Sequence, residues 1–220
     1  YSLSFEKGYY ERPLLGAKNI PVRGGNRDYT VTVQNTDVLS IDIDLSSPID
    51  MGNLVVKPKQ KGETTITVKD NVTNETVDLK IKIVDSYLNL KVAHPAQVPY
   101  TGGENLFFIN NSDRDFYLFD EKMEKKECTG NYQFLIKNST CYMILNFDKE
   151  LNDKSTYEYN ISNTSERMFT LIEILLGIDW NMKTDLINRS TRSASPVTMN
   201  AVDTETNIIQ YFVAGSNDIP

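Results

Sequence analysis

The sequence predicts a mainly all-β protein: an N-terminal β-sandwich, then a β-rich sandwich or half-barrel with one helix. Three observations predict it. Polar and apolar residues alternate at period two along Val38–Leu45 and Val77–Val84, the pattern of half-buried strands. Runs rich in β-branched and aromatic residues, such as Tyr29–Val33 and Thr64–Val68, recur at short intervals between Gly, Asn and Asp turns. Only one stretch, near 164–176, repeats apolar residues at helical spacing.

Taken in order, Tyr29–Val33 follows the turn signal Gly24-Gly25-Asn26. In Val38–Leu45, Leu39, Ile41, Ile43 and Leu45 share one face, while Val38, Ser40, Asp42 and Asp44 share the other. Leu54–Val56 follows Met51-Gly52-Asn53, and Thr64–Val68 follows Lys61-Gly62. In Val77–Val84 the inward set is Val77, Leu79, Ile81 and Ile83. Short strands at this spacing form a sandwich or barrel.

The phrase Val56-x-Pro58-x-x-x-Gly62-x-Thr64-Thr65-Ile66-Thr67-Val68, flanked by Val38–Ile43 and Val77–Val84, resembles the group 2 bacterial Ig-like family. The resemblance spans about residues 1–86; Tyr1–Val22 departs from the family pattern. It implies a β-sandwich of the kind found in exported bacterial surface proteins, and it brings no catalytic residues.

Asp85-Ser86 is the expected boundary, giving domains 1–86 and 87–220. Beyond it aromatics concentrate: 17 of the 22 lie in 87–220. His94–Gly103 reads as a Pro/Gly loop. Candidate strands are Asn105–Ile109, Phe116–Phe119, Tyr132–Ile136, Tyr142–Phe147 and Thr156–Ile161. The helix near 164–176 has Asn163 as its expected N-cap, Glu166 three residues on, and Gly177 to close it. It either covers a sheet or presents a face to a partner. After the polar stretch Asn188–Ser195, Val197–Val202 and Ile208–Val213 pair as a closing hairpin.

Charge removes some partners. The net charge is −7, with 11 Lys and Arg against 12 Asp and Glu in residues 1–86, and 12 against 18 in residues 87–220. A chain without a basic stripe does not suit nucleic acid or an anionic membrane. Lys57, Lys59 and Lys61 read as a solvated edge. No apolar run approaches the roughly 20 residues of a membrane span. The chain starts at Tyr1 without a leader pattern, as either a trimmed exported chain or a cytosolic one would.

Catalytic constellations are sparse. His94 is the only histidine, and no nucleophile motif accompanies it. Asn111-x-Asp113-x-Asp115 starts like a calcium loop, but Phe116 stands where Gly is needed and Lys122 where a bidentate Glu belongs. That excludes an EF-hand and favours an Asn/Asp turn. Asp42 with Asp44, and Glu121, Glu124 and Glu127, read as solvated faces rather than a glycosidase pair. Cys128 and Cys141 form no CxxC. If Lys137–Thr140 turns a simple hairpin, they stand apart; a bridge needs another arrangement, and two inert thiols are the alternative. The seven Asn-x-Ser/Thr triplets, at Asn71, Asn74, Asn110, Asn138, Asn160, Asn163 and Asn188, read as turns in a bacterial chain.

The aromatics remain. Tyr157 and Tyr159 share a strand face, and Trp180 follows the helix. Exposed, they would stack on sugars; buried, the same spacing makes core. They are the expected ligand-binding set, with no catalytic residue, metal or cofactor. The expectation is a non-enzymatic exported protein of the cell surface or Gram-negative-type periplasm, with a lipid anchor upstream of Tyr1. An Ig-like spacer would carry a domain that recognises a glycan or surface protein. The other expectations are a structural subunit of a surface assembly, whose sheet edges pair with neighbouring chains, and a glycan hydrolase.

Overall fold

The computed structural model describes residues 1–180 and 197–220. Most of Asn188–Ser195's flanks, that polar stretch itself and the Asn188 triplet lie outside the described residues. The chain divides into two compact units, Tyr1–Ser86 and Tyr87–Pro220.

The first unit is a seven-stranded sandwich: β1 (Tyr9–Pro13), β2 (Ile20–Pro21), β3 (Tyr29–Val33), β4 (Leu39–Asp44), β5 (Asn53–Pro58), β6 (Gly62–Asp70) and β7 (Thr76–Val84). One sheet has the order β1-β7-β6-β3, the other β2-β5-β4. Grouping the third, sixth and seventh strands against the second, fourth and fifth is the immunoglobulin arrangement, here with the first strand on the sixth-and-seventh-strand sheet. β1 runs parallel to β7, Tyr10 opposite Ile81, so the departing opening segment supplies an edge strand. Alternation on β7 sends Leu79, Ile81 and Ile83 into a core with Ile20, Leu39, Leu54, Ile66 and Val68. Its other face carries Lys80 and Lys82. Lys57 is paired with Asp42, Lys61 with Asp85 at 2.9 Å, and Lys59 donates to the Thr36 carbonyl at 2.7 Å. The basic run is a hydrated edge with local partners.

The second unit is an eight-stranded barrel of β8 (Tyr87–Val92), β9 (Asn105–Ile109), β10 (Asp115–Phe119), β11 (Lys126–Lys137), β12 (Thr140–Leu151), β13 (Lys154–Asn160), β14 (Thr198–Asp203) and β15 (Ile209–Ala214). Each strand pairs antiparallel with the next, and β15 returns to β8. The sheet therefore closes rather than stopping at a half-barrel. Closure removes the exposed edges that a half-barrel would present. On β11 the outward residues are Glu127, Thr129, Asn131 and Gln133, and the inward ones Cys128, Tyr132 and Phe134. This is the reverse of a lipid-facing barrel. Gly130 sits where no Cβ fits: one would lie 2.1 Å from the Asn146 carbonyl oxygen and 2.6 Å from the Phe116 ring. Ile136 stands opposite Cys141 in the β11–β12 hairpin, and both cysteines are buried free thiols.

The interior is aromatic. Phe116, Phe147, Tyr157, Tyr159, Phe212 and Tyr100 follow one another at ring separations of 5.1 to 6.4 Å, four of the five contacts edge-to-face. Each edge-to-face pair is worth about 0.5–1.5 kcal/mol beyond its buried area.

Between β13 and β14 lies α1 (Glu166–Leu176). It packs Met168, Phe169, Ile172 and Leu176 into the barrel core. Its N-cap is Ser165, not Asn163: the Ser165 side chain accepts from the Met168 amide. Thr164 and Ser165 are tied to the start of β14 through the backbones of Asn200 and Thr198, which delays the first helical turn by two residues. Gly177 closes the helix in the left-handed region at φ 65°, and Arg114 donates to the Leu176 carbonyl. No helix among the described residues is long and apolar enough to cross a membrane.

Candidate functional site

In an up-and-down barrel, alternate turns lie at opposite ends. The β13–β14 connection carries α1 at one end. The other end receives the β8–β9, β12–β13 and β14–β15 turns, and it holds a cavity of about 120 Å³. Its lining includes Gln97 and Val98 of the β8–β9 loop, Lys154, Tyr157 and Tyr159 of β13, Asp203 of β14 and Gln210 of β15.

Strand geometry places each of these groups. Met199, Ala201 and Asp203 all point inward on β14, so the alternation that builds the core delivers a carboxylate at its rim. Gln210 and Phe212 do the same on β15. Asp203 is fixed by the turn it opens: Oδ1 accepts from the Glu205 amide at 2.9 Å and from the Thr206 amide at 3.4 Å. Oδ2 lies 3.8 Å from Lys154 Nζ. Gln210 Oε1 accepts from the Gln97 amide at 2.6 Å, holding the β8–β9 loop against the rim. That loop lowers Tyr100 into the barrel, where its hydroxyl meets that of Tyr159 at 3.5 Å.

Lys154 crosses the opening. Its ammonium lies 4.3 Å from the Tyr157 ring centroid and 2.8 Å from Glu205. Burial acts to lower the Lys154 pKa, but the hydrogen bond to Glu205 and the nearby Asp203 charge outweigh it and raise it. Burial pushes Tyr100 and Tyr159 well above the ordinary phenol range, and the Tyr159 hydroxyl donates to that of Tyr100. The mouth thus combines neutral phenols, a ring face, a lysine and two carboxylates.

The structure separates the expected ligand-binding residues. Tyr157 and Tyr159 do share a face, but it points inward: each is 1% exposed, and they line the cavity floor. Trp180 is 2% exposed, packed on Phe134 and Phe169, with its indole N–H donating to the Phe169 carbonyl. Its place after α1 puts it at the helix end of the barrel. None of the three presents a ring to the outer surface: Trp180 packs in the core, while Tyr157 and Tyr159 face the interior and its cavity. The hydrophobic gain from burying such rings outweighs keeping them exposed. Asp203 and Gln210 were missed by sequence reasoning although each is a polar residue continuing an inward-facing apolar series; Lys154, in step with the outward Thr156 and Glu158, and Tyr100, in a loop, carry no such signal.

Other constellations resolve into structure. His94 is exposed, with its ring against Gly102. Asn111 Oδ1 accepts from the Asp115 amide and Asn111 Nδ2 donates to Asp115 Oδ2, forming the β9–β10 turn. Asp42 and the residues Glu121, Glu124 and Glu127 are exposed, and Asp44 is half-buried. Among the described residues, no group of three or more His, Cys, Asp or Glu could hold a metal ion.

No protein-family model matches the chain, and no curated protein matches it. Two solved structures are similar to it. Domains 5–6 of the S-layer protein SbsC share 12% identity over 74% of this chain and 91% of that one, at a TM-score of 0.33. Domains 4–9 of surface layer protein SbsC share 12% identity over 74% of this chain, at a TM-score of 0.34, and the chain spans 29% of that longer structure. Likeness at this level leaves the family of the chain open.

Proposed function

We propose that this is a non-enzymatic recognition protein of the bacterial cell surface, in which the Ig-like unit is a spacer and the barrel unit binds its ligand at the open mouth. The carrying observation is the cavity where Asp203, Lys154 and Gln210 rim an interior of Tyr157 and Tyr159. Eight-stranded barrels are wide enough to hold one small ligand at such a position. Apolar floor and a few convergent polar groups are the ordinary make-up of a ligand site. At about 120 Å³ the cavity falls below the roughly 300–1,000 Å³ of drug-sized pockets, so it takes a terminal group of a glycan or surface protein rather than a whole oligosaccharide. The Ig-like family resemblance of residues 1–86 supports export and the spacer role.

The test is nuclear magnetic resonance of the isotope-labelled full chain against a glycan library and surface-protein fractions. Saturable shifts at Tyr157, Asp203 and Gln210, lost in Gln210→Ala with the fold retained, support the reading. Shifts confined to other faces of the molecule sink it.

A further inference from the structure

Lys154 at the barrel mouth has the surroundings of a bound ligand. It starts β13 just after Asn152 and Asp153, whose φ values of 53° and 69° make a tight turn. Strand pairing between β13 and β14 involves only Tyr159 with Asp203 and Asn160 with Val202. The hairpin tip therefore stands away from β14, and the lysine spans the gap. Its ammonium rests over the Tyr157 ring and between Asp203 and Glu205. The side chain of Asp203 is only 10% exposed, and that of Lys154 is 28% exposed. Withdrawing the lysine would leave a nearly buried carboxylate without its cation, which is costly unless another cation replaces it.

We propose that the mouth is a receptor for a primary alkylammonium group, and that Lys154 occupies this place in the free protein as a tethered stand-in. The inference rests on the mouth being the recognition site. The ring face of Tyr157 and Oδ2 of Asp203, which faces the ammonium, select a monovalent organic cation through cation–π and charge attraction. A guanidinium fits less well, because its planar fork wants both carboxylate oxygens and Oδ1 is held by the turn amides. The remaining cavity, bounded by Tyr159, Ile208 and Gln210, gives the incoming group room beside the lysine. A lysine side chain or an amino-bearing sugar on a surface partner carries this chemistry.

The test uses the full chain and n-propylammonium, which reproduces the lysine beyond its Cβ, with 1-propanol as the neutral isostere. Lys154→Ala is expected to bind n-propylammonium about tenfold more tightly than the wild type, read from shifts at Tyr157 and Asp203. It should show no such gain for 1-propanol. Adding Asp203→Asn should abolish the gain. Equal binding by wild type and Lys154→Ala, equal binding of 1-propanol, or survival of the gain in the double variant overturns the proposal. If Lys154→Ala loses its cooperative melting transition, Lys154→Thr, which also vacates the site beyond Cγ and suits a strand, must show the same order of affinities. Wild-type shifts at the mouth with a neutral glycan, without any response of Lys154→Ala to the ammonium, sink this inference and leave the recognition site. Silence of the mouth toward every probe sinks both.

Discussion

Tyr159 stands directly opposite Asp203 across the β13–β14 seam, and with Asn160 opposite Val202 that is all the strand pairing joining these two strands. The β11–β12 seam, by contrast, has eight opposed pairs. A closed barrel is therefore held unevenly, and its weakest seam borders the mouth. The Thr204 amide, which donates to the Glu158 carbonyl at 3.1 Å, marks the end of that seam. It is expected to exchange with solvent faster than the amides of β11–β12, because short seams open locally at lower free energy. Native-state hydrogen exchange measures this, and equal protection of both seams would contradict it.

The helix start gives a paired test. Ser165→Ala removes the side chain that accepts from the Met168 amide and should cost about 1 kcal/mol. Asn163→Ala, at an exposed position before the cap, should change stability by less than about 0.5 kcal/mol. Urea unfolding of the two variants distinguishes the caps, and the reverse order would restore Asn163.

Gly130 has no room for a methyl group between the Asn146 carbonyl and the Phe116 ring. Gly130→Ala is expected to destabilise the barrel by about 1–3 kcal/mol through overpacking. A denaturant midpoint unchanged from wild type would show that β12 shifts freely.

Tyr100 reaches into the barrel from the β8–β9 loop and packs edge-on against Phe212 at 5.6 Å. Tyr100→Ala should cost about 3 kcal/mol or more, the range for deleting a large buried ring. It should also increase binding of an apolar fluorescent dye to the folded protein. A destabilised variant with no added dye binding would mean that the loop collapses over the gap.

Alkaline pH should weaken the fold. Burial raises the Cys128 thiol from 9.0 to about 11, and burial raises Tyr100 and Tyr159 as well. The unfolded chain gives up these protons at lower pH than the native one. The stability is therefore full below pH 9 and is lost as pH climbs toward 11. Urea midpoints at pH 8, 9, 10 and 10.5 measure the decline, and Cys128→Ala should make it shallower. A flat profile would contradict the burial argument.

Much of the architecture could be read from residue patterns because strand alternation is a local signal. Asn105–Ile109 is a strand over its full predicted span, and β7 follows its Leu79, Ile81, Ile83 series. Barrel closure was harder to read because it depends on β8, a short segment next to the domain boundary. Leu88, Leu90 and Val92 alternate there, but three positions beside a Pro/Gly loop make a weak signal. The site was least legible. Tyr157 and Tyr159 carry the same spacing whether they face solvent or the interior, and only closure decides which. Lys154 and Asp203 are 49 positions apart, and no local pattern announces that a register between β13 and β14 brings them together.

The pairing of β15 with β8 has a consequence for synthesis. The first unit has all its strands by Val84, so its sandwich can assemble while later residues are still being added. The barrel cannot: β8 must wait for Ile209–Ala214, more than a hundred residues downstream, before its second neighbour exists. Until then β8 and the aromatic inner faces of the following strands remain an open sheet with two free edges. Such long-range closure is slow, and it exposes edges to pairing with other chains. The strand that completes the barrel is thus also the one that ends the interval of greatest aggregation risk.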